Sequence, residues 1–319
     1  MLHMRVIAPP EVTGRVLDLL DTEVGVAHVI VNRGSARKPP GDLIEADVAR
    51  EAADSVLGEL SELGIDHTGA ITMEELQVTL SDTADVAERD APGDGDEAIV
   101  WDELMARTAS DSRANGVYLA FLTLALLIAA AGVVTDSPVT VVGAMAVAPD
   151  FGPLAGFAVG LFRRRWDLVR RSALATAVGF GVAMLVTVAF AGLCEVTGLI
   201  SLDAPGLGKS AEVDFIYDVG PFSLIVALFA GAAGMLSLLS AKSAVLVGVF
   251  ISVTTVPAAA YAVVAATLGY WSRFGESLAQ LVVNLTGIVI AATIVLAISS
   301  RLARRRGSAL KPGRPLNDG

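Results

Sequence analysis

Cys194 is the single cysteine in the chain, so no internal disulfide is possible and a disulfide-stapled small fold is excluded. The three histidines, His3, His28 and His67, fall on different segments without ligand spacing, which argues against a metal centre. No HExxH string and no hydrolase elbow occurs, so nothing supports an enzyme and no cofactor is expected. Gly206-Leu-Gly-Lys-Ser210 resembles the end of a P-loop, but Asp203 stands where the first glycine is required. Basic residues are scarce early on. Residues 1–112 carry 24 acidic and 8 basic side chains, and residues 113–319 carry 10 and 15. An acidic start excludes a nucleic-acid surface, because phosphate contacts need clustered Lys and Arg. The first apolar residues alternate with His3 and Arg5 and are too few for the h-region of a signal peptide.

What the chain does have is apolar length. Mean hydropathy is +0.63 and 54% of residues are hydrophobic, against roughly 45–50% in soluble domains. Six spans are expected: 117–134, 139–162, about 172–199, about 222–239, 244–268 and about 278–298. The second holds Asp150 near its middle, with Pro149, Gly152 and Pro153 around it, and reads as broken there. Pro257 interrupts the fifth in the same way. A charge and a broken helix at mid-depth are tolerated only against protein or a water-filled cavity, so Asp150 points to a site.

The apolar half carries an internal repeat. Val142-Gly143 recurs as Val247-Gly248 and Trp166 as Trp271, both displaced by 105 residues. Three spans per copy turn the second copy upside down, the inverted plan of many secondary transporters, whose sites lie at mid-membrane. The same displacement sets Asp150 opposite Thr255. Asp150, Thr254, Thr255 and Asn284, with the carbonyls freed before Pro257, compose a cation or proton site. The plainer reading of Asp150 is an N-cap for the half-helix that starts near Phe151. Gly152, Gly156 and Gly160 form a GxxxGxxxG face for close helix packing, and with an open sheet edge they suggest a homo-oligomer. Trp166, Tyr270 and Trp271 read as interface anchors.

Basic residues orient the spans. With the N-terminus inside, the inner segments hold thirteen Lys and Arg, among them Arg163, Arg164, Arg165, Arg170 and Arg171, while the outer ones hold Lys209 and Arg273. Both termini are therefore expected in the cytoplasm of a cell with a plasma or inner membrane.

Residues 1–81 read as a ferredoxin-like βαββαβ unit. Its strands are expected at 2–6, 26–31, 43–48 and 75–80, its helices at 12–20 and 53–63, and a turn-rich connection at Arg33–Gly41. Residues 82–114 read as an acidic linker followed by an amphipathic helix, 115–303 as the membrane domain and 304–319 as a basic cytoplasmic tail. The fold class is thus an α-helical multi-span membrane protein with an N-terminal α+β cytoplasmic domain.

The strings Val142-Gly-Ala-Met-Ala-Val-Ala-Pro-Asp-Phe-Gly-Pro-Leu154 and Leu224-Ile-Val-Ala-Leu-Phe-Ala-Gly-Ala-Ala-Gly-Met-Leu-Ser237, followed by Ser243-Ala-Val-Leu-Val-Gly-Val249, resemble the domain of unknown function 389 family, the "uncharacterized hydrophobic domain" proteins. The resemblance covers roughly residues 115–300. Members usually carry Leu-Met where Asp150 and Phe151 stand, and a second Pro where Ala258 stands. The resemblance therefore implies a fold but no shared acidic site and no settled activity. Two readings follow: a secondary transporter or channel for a small ion or solute with a cytoplasmic regulatory domain, or a membrane-anchored metabolite sensor or scaffold without transport.

Overall fold

A computed structural model of the protein describes residues 1–76, 78–91, 100–197, 221–240 and 245–309. Outside them fall Asp94, Asp96, Glu97 and Ile99 of the linker, the P-loop-like string 206–210, the acids Asp203, Glu212, Asp214 and Asp218, Lys242, and the tail residues Lys311 and Arg314. The chain folds as two compact units, Met1–Leu104 with Ser299–Gly319, and Met105–Ile298.

The first unit contains β1 (Leu2–Ala8), α1 (Pro10–Thr22), β2 (Val26–Arg37), β3 (Pro40–Val48), α2 (Arg50–Glu62), α3 (Ile65–Thr68), β4 (Ala70–Glu75) and α4 (Asp82–Asp90). The sheet is antiparallel in the order β2-β3-β1-β4, the arrangement of a split βαβ unit. Leu2, Met4, Val6 and Ala8 alternate inward and meet Val16, Leu20, Ile44, Val56, Leu60 and Ile65 in one core.

Three details differ from the sequence reading. The fourth strand is Ala70–Glu75, not 75–80; Val78 and Leu80 are 75% and 93% exposed. Pairing with β1 selects the earlier stretch, with Ile7 opposite Ala70 and Leu2 opposite Glu75. Gly69 fits there because a Cβ would run into the Ile7 carbonyl. The connection at 33–41 is mostly strand, since β2 runs to Arg37 through irregular register between Asn32 and Ala36. Asp42 fixes it there, accepting from the Gly34 N–H at 2.7 Å and the Thr13 hydroxyl at 2.8 Å. These two bonds hold Asp42 below the usual carboxylate range. The first part of the acidic linker is helix α4, N-capped by Ser81 and seated on buried Ala84 and Ala87.

The second unit is built from α5 (Trp101–Asp111, which begins in the first unit), α6 (Gly116–Val134), α7 (Pro138–Val147), α8 (Phe151–Phe162), α9 (Trp166–Val196), α10 (Pro221–Leu239), α11 (Val245–Thr267) and α12 (Trp271–Ala309, which ends in the first unit). Four helices, α6, α9, α10 and α12, are long and apolar enough to cross a membrane. The pair α7 and α8 makes a fifth candidate span, bent by 55° at its break. Against six expected spans, four to five thus meet the length and composition requirement among the described residues. In α11, where the remaining span was expected, Thr254–Thr267 is a shorter apolar helix.

Burial follows a membrane pattern. Phe121, Leu185, Phe190, Leu193, Phe229 and Ile290 are large apolar side chains that face outward, as lipid-facing positions would. By contrast, every residue from Thr254 to Ala265 is buried, and α11 packs against α6, α7, α9 and α10. A helix apolar on all sides belongs in a core.

The boundaries show a regularity. α6 and α10 start at 116 and 221 and end at 134 and 239; α8 and α11 end at 162 and 267; α9 and α12 start at 166 and 271. Every pair is 105 residues apart. The turns agree bond for bond. Arg163 N→Val159 O, Arg164 N→Leu161 O and Arg165 N→Gly160 O recur as Leu268 N→Val264 O, Gly269 N→Ala266 O and Tyr270 N→Ala265 O. Arg164 and Gly269 both take positive φ, 56° and 77°.

Candidate functional site

The site starts from a backbone interruption. Pro149 pushes the preceding residue out of the helical region, and Ala148 is extended at φ −72°, ψ 129°. α7 ends there, and α8 restarts one residue after Asp150. The break is thus residues 148–150. Gly152 and Pro153, expected to share in it, lie in the first turn of α8, where backbone N–H groups have no helical partner and a proline costs little. Pro257 does not break its helix either: α11 runs through it. Pro257 lacks the N–H that would bond the Val253 carbonyl, and at the next carbonyl, Thr254 O, the Asn284 Nδ2 donates at 2.8 Å.

Asp150 is fully buried. It stands at the N-cap position of α8, yet its side chain accepts no capping bond. Its carboxyl turns to α11 instead. Ser252 Oγ donates to Oδ1 at 2.5 Å, and Thr255 Oγ1 donates to Oδ2 at 2.5 Å. Residues three apart share a helix face, so one face of α11 holds both oxygens. Tyr118 on α6 is buried. Its ring packs on Gly179 of α9, and its buried hydroxyl has no partner in the structure.

A second polar chain adjoins the first along the α11 backbone. Gln280 donates to Ser223 Oγ, Ser223 donates to Asn284 Oδ1 at 2.9 Å, and Asn284 reaches the Thr254 carbonyl. Gln280 and Asn284 are 2% and 1% exposed, one helical turn apart on α12. The Thr254 hydroxyl is buried and unpartnered. Of the residues expected together, then, Asp150 and Thr255 touch directly. Thr254 and Asn284 meet through the Thr254 carbonyl, one peptide away.

Ser252, Tyr118, Ser223 and Gln280 escaped the sequence reading. Gln280, one turn before Asn284 on an apolar helix, carried a usable signal; the serines and the tyrosine did not, because such residues are ordinary in membrane helices.

Other expectations resolve structurally. Built Cβ atoms on Gly152, Gly156 and Gly160 would meet Asp111 at the end of α5, the Ser112 and Ser172 hydroxyls, and Val169 on α9. This glycine face is filled from within the chain, so it offers no surface for a second copy. Trp166, Tyr270 and Trp271 are at least half exposed, and Cys194 is buried and free.

In the first unit, His3 and His28 flank one carboxylate, a contact their sequence positions concealed. Burial pushes Asp47 up, but His28 and His3 donate to its two oxygens at 2.7 and 2.8 Å and leave it below its ordinary value. The other His28 nitrogen lies 2.8 Å from Ser81 Oγ and 3.0 Å from Thr83 Oγ1 at the start of α4. Among the described residues, no three His, Cys, Asp or Glu side chains stand together as metal ligands.

The family described as "Domain of unknown function (DUF389)" matches residues 145–290. That segment takes in Asp150, Ser223, Ser252, Thr254, Thr255, Gln280 and Asn284, and leaves out Tyr118. An uncharacterized protein of Methanocaldococcus jannaschii is 25% identical over 199 residues, 62% of this chain and 59% of that protein. The chain thus spans under two thirds of this relative's length. No solved structure matches the chain.

Proposed function

We propose that this member of the DUF389 family is a secondary transporter or channel for a small ion or solute, with Asp150 at the centre of the transported path. The observation that carries the reading is a fully buried carboxyl at a helix break, held by two hydroxyls of a core helix inside an apolar helical body. An ionisable group at such depth is costly and marks ion or proton pathways. Thr254, Thr255 and Asn284 belong to the same site, joined by Ser252, Ser223 and Gln280.

The architecture of the reading is an inverted repeat of three spans each, α6 to α9 against α10 to α12, with α11 as the fifth span. Its support is the recurrence of helix boundaries and turn bonds at one displacement of 105 residues. Both termini lie in the cytoplasm by the excess of Arg and Lys in the inner segments. The first unit is a cytoplasmic regulator. Self-association remains part of the reading through the outer strands β2 and β4 of the sheet; crosslinking in membranes that yields monomer alone would remove it.

The test is flux. Purified protein in sealed liposomes with an entrapped pH dye is given gradients of inorganic ions, amino acids and organic acids in turn. Transport is expected for at least one solute, and Asp150→Asn abolishes it. If no solute moves while one binds to the full chain and stabilises it, the sensor reading replaces this one.

A further inference from the structure

Asp150 and Thr255 are themselves 105 residues apart, the displacement that relates the two halves. Two residues exchanged by a two-fold axis can touch only at that axis, because the rotation leaves their midpoint fixed. In an inverted repeat the axis lies in the membrane plane, so this contact is equally far from both faces.

We propose that Asp150 is a single proton-binding carboxyl on the pseudo-two-fold axis, the coupling-ion site of the transporter, with its acid supplied by one half and its hydroxyl by the other. The inference rests on the transport reading and on the repeat.

The chemistry around the carboxyl fits a proton. Each carboxyl oxygen is taken by a hydroxyl at 2.5 Å. Ser and Thr hydroxyls donate or accept by rotating one O–H bond, so the same heavy atoms serve both states of the acid. On protonation a hydronium ion at one face gives up H⁺ and leaves water, its O–H bond breaks as one forms on Asp150, and one hydroxyl turns from donor to acceptor. Release to the other face reverses each change. A metal cation would instead need about six oxygen ligands. Here the nearby Thr254 carbonyl is already bonded to Asn284. No cationic side chain pairs with Asp150 among the described residues. Of the surrounding helices, α7, α8 and α10 carry no ionisable side chain at all, and α6 offers only Tyr118. The Tyr118 and Thr254 hydroxyls, both buried and unpartnered among the described residues, are the polar atoms left for an entering proton or water to meet.

Infrared spectroscopy of the full chain in lipid tests this without a known solute. A carbonyl stretch of a protonated carboxylic acid is expected at neutral pH. It should shift in D2O, vanish in Asp150→Asn, bleach as pH rises, and ignore added Na⁺, K⁺ or Mg²⁺. In Thr255→Val the band moves to higher frequency, because one hydrogen bond to it is gone. Absence of the band at every pH where the protein stays folded overturns the proposal, as does its loss on adding a metal cation at fixed pH. The two readings separate cleanly. The band without any flux keeps the proton site and refutes transport; flux without the band keeps transport and refutes the proton site.

Discussion

Removing the Thr255 hydroxyl is the most informative single change to this molecule. Thr255→Val keeps the shape of the side chain and deletes one donor. Both partners are fully buried, so water cannot replace the lost bond at Asp150 Oδ2. A hydrogen bond to a charged group contributes about 1.5–3 kcal/mol and one to a neutral group about 0.5–1.5 kcal/mol. Interhelical bonds measured in a membrane protein average about 0.6 kcal/mol and reach about 1.7. The protonated acid proposed above therefore sets a coupling of about 0.5–1.5 kcal/mol, while a bare carboxylate sets a larger one. The clean measurement is a double-mutant cycle of Thr255→Val with Asp150→Ala, read by reversible unfolding in detergent. In the Asp150→Ala background, losing the hydroxyl should cost little, because it has nothing left to donate to. For a unit of 194 residues, Met105–Ile298, 1 kcal/mol corresponds to about 2–4 °C in Tm, so the coupling is about 1–6 °C. Additivity of the two changes within about 0.5 kcal/mol would show that the carboxyl and hydroxyl do not interact, and the site as described would fall.

Three further outcomes follow from the contacts. Gly156→Ala places a methyl against Ser112, Ser172 and the Thr108 carbonyl and should destabilise by about 1–3 kcal/mol through overpacking; Gly181→Ala, with nothing within 4 Å, should stabilise by up to about 1 kcal/mol. Thermal unfolding distinguishes them, and equal effects would refute the packing. Asp42 and Asp47 both titrate lower when folded, so the unfolded chain binds more protons as acid is added. Their stabilisation is complete above the unfolded aspartate value of about 3.9 and is lost as pH falls through the depressed folded values. Hydrogen exchange of β2 and β3 in the full chain should accelerate across that window, and less so in Asp42→Asn. Finally, His28→Ala removes the ring that reaches Ser81 and Thr83, so amides of α4 should lose protection while those of α1 keep theirs.

What the residues reveal by themselves divides along a physical line. Local chemistry was readable. Pro149 beside Asp150 announces a broken apolar helix whatever it packs on, and alternation at Leu2, Met4 and Val6 announces a strand. Pairing was not. The alternation at 76–80 is as good as that at 70–75, and only the register against β1, with Gly69 under the Ile7 carbonyl, decides between them. The glycine face shows the same limit: its spacing states that something packs closely there but not that the partners are α5 and α9. Ser252 and Ser223 look like indifferent small residues until the fold turns them toward Asp150 and Asn284.

The two halves also differ where they meet, and the difference gives the sharpest test of the axis. At matching positions one half has Pro149 and Asp150, the other Thr254 and Thr255, while Pro257 falls opposite Gly152. Two acids on the axis would put two carboxyls in contact without a hydroxyl between them, and two threonines would hold no titratable group; one of each gives a single proton site. If the contact truly lies on the axis, exchanging the partners preserves it. Asp150→Thr alone should lose the protonated-acid band. Thr255→Asp alone should lose stability, because it takes away the hydroxyl that bonds Asp150 Oδ2 and buries a second carboxyl with no donor of its own. The double exchange should recover both the band and the stability, since the acid then projects from α11 onto a hydroxyl beside the break. A double variant no better than the worse single one would mean that the environments at 150 and 255 are not equivalent. The 105-residue register would then describe helix lengths alone and not a shared site.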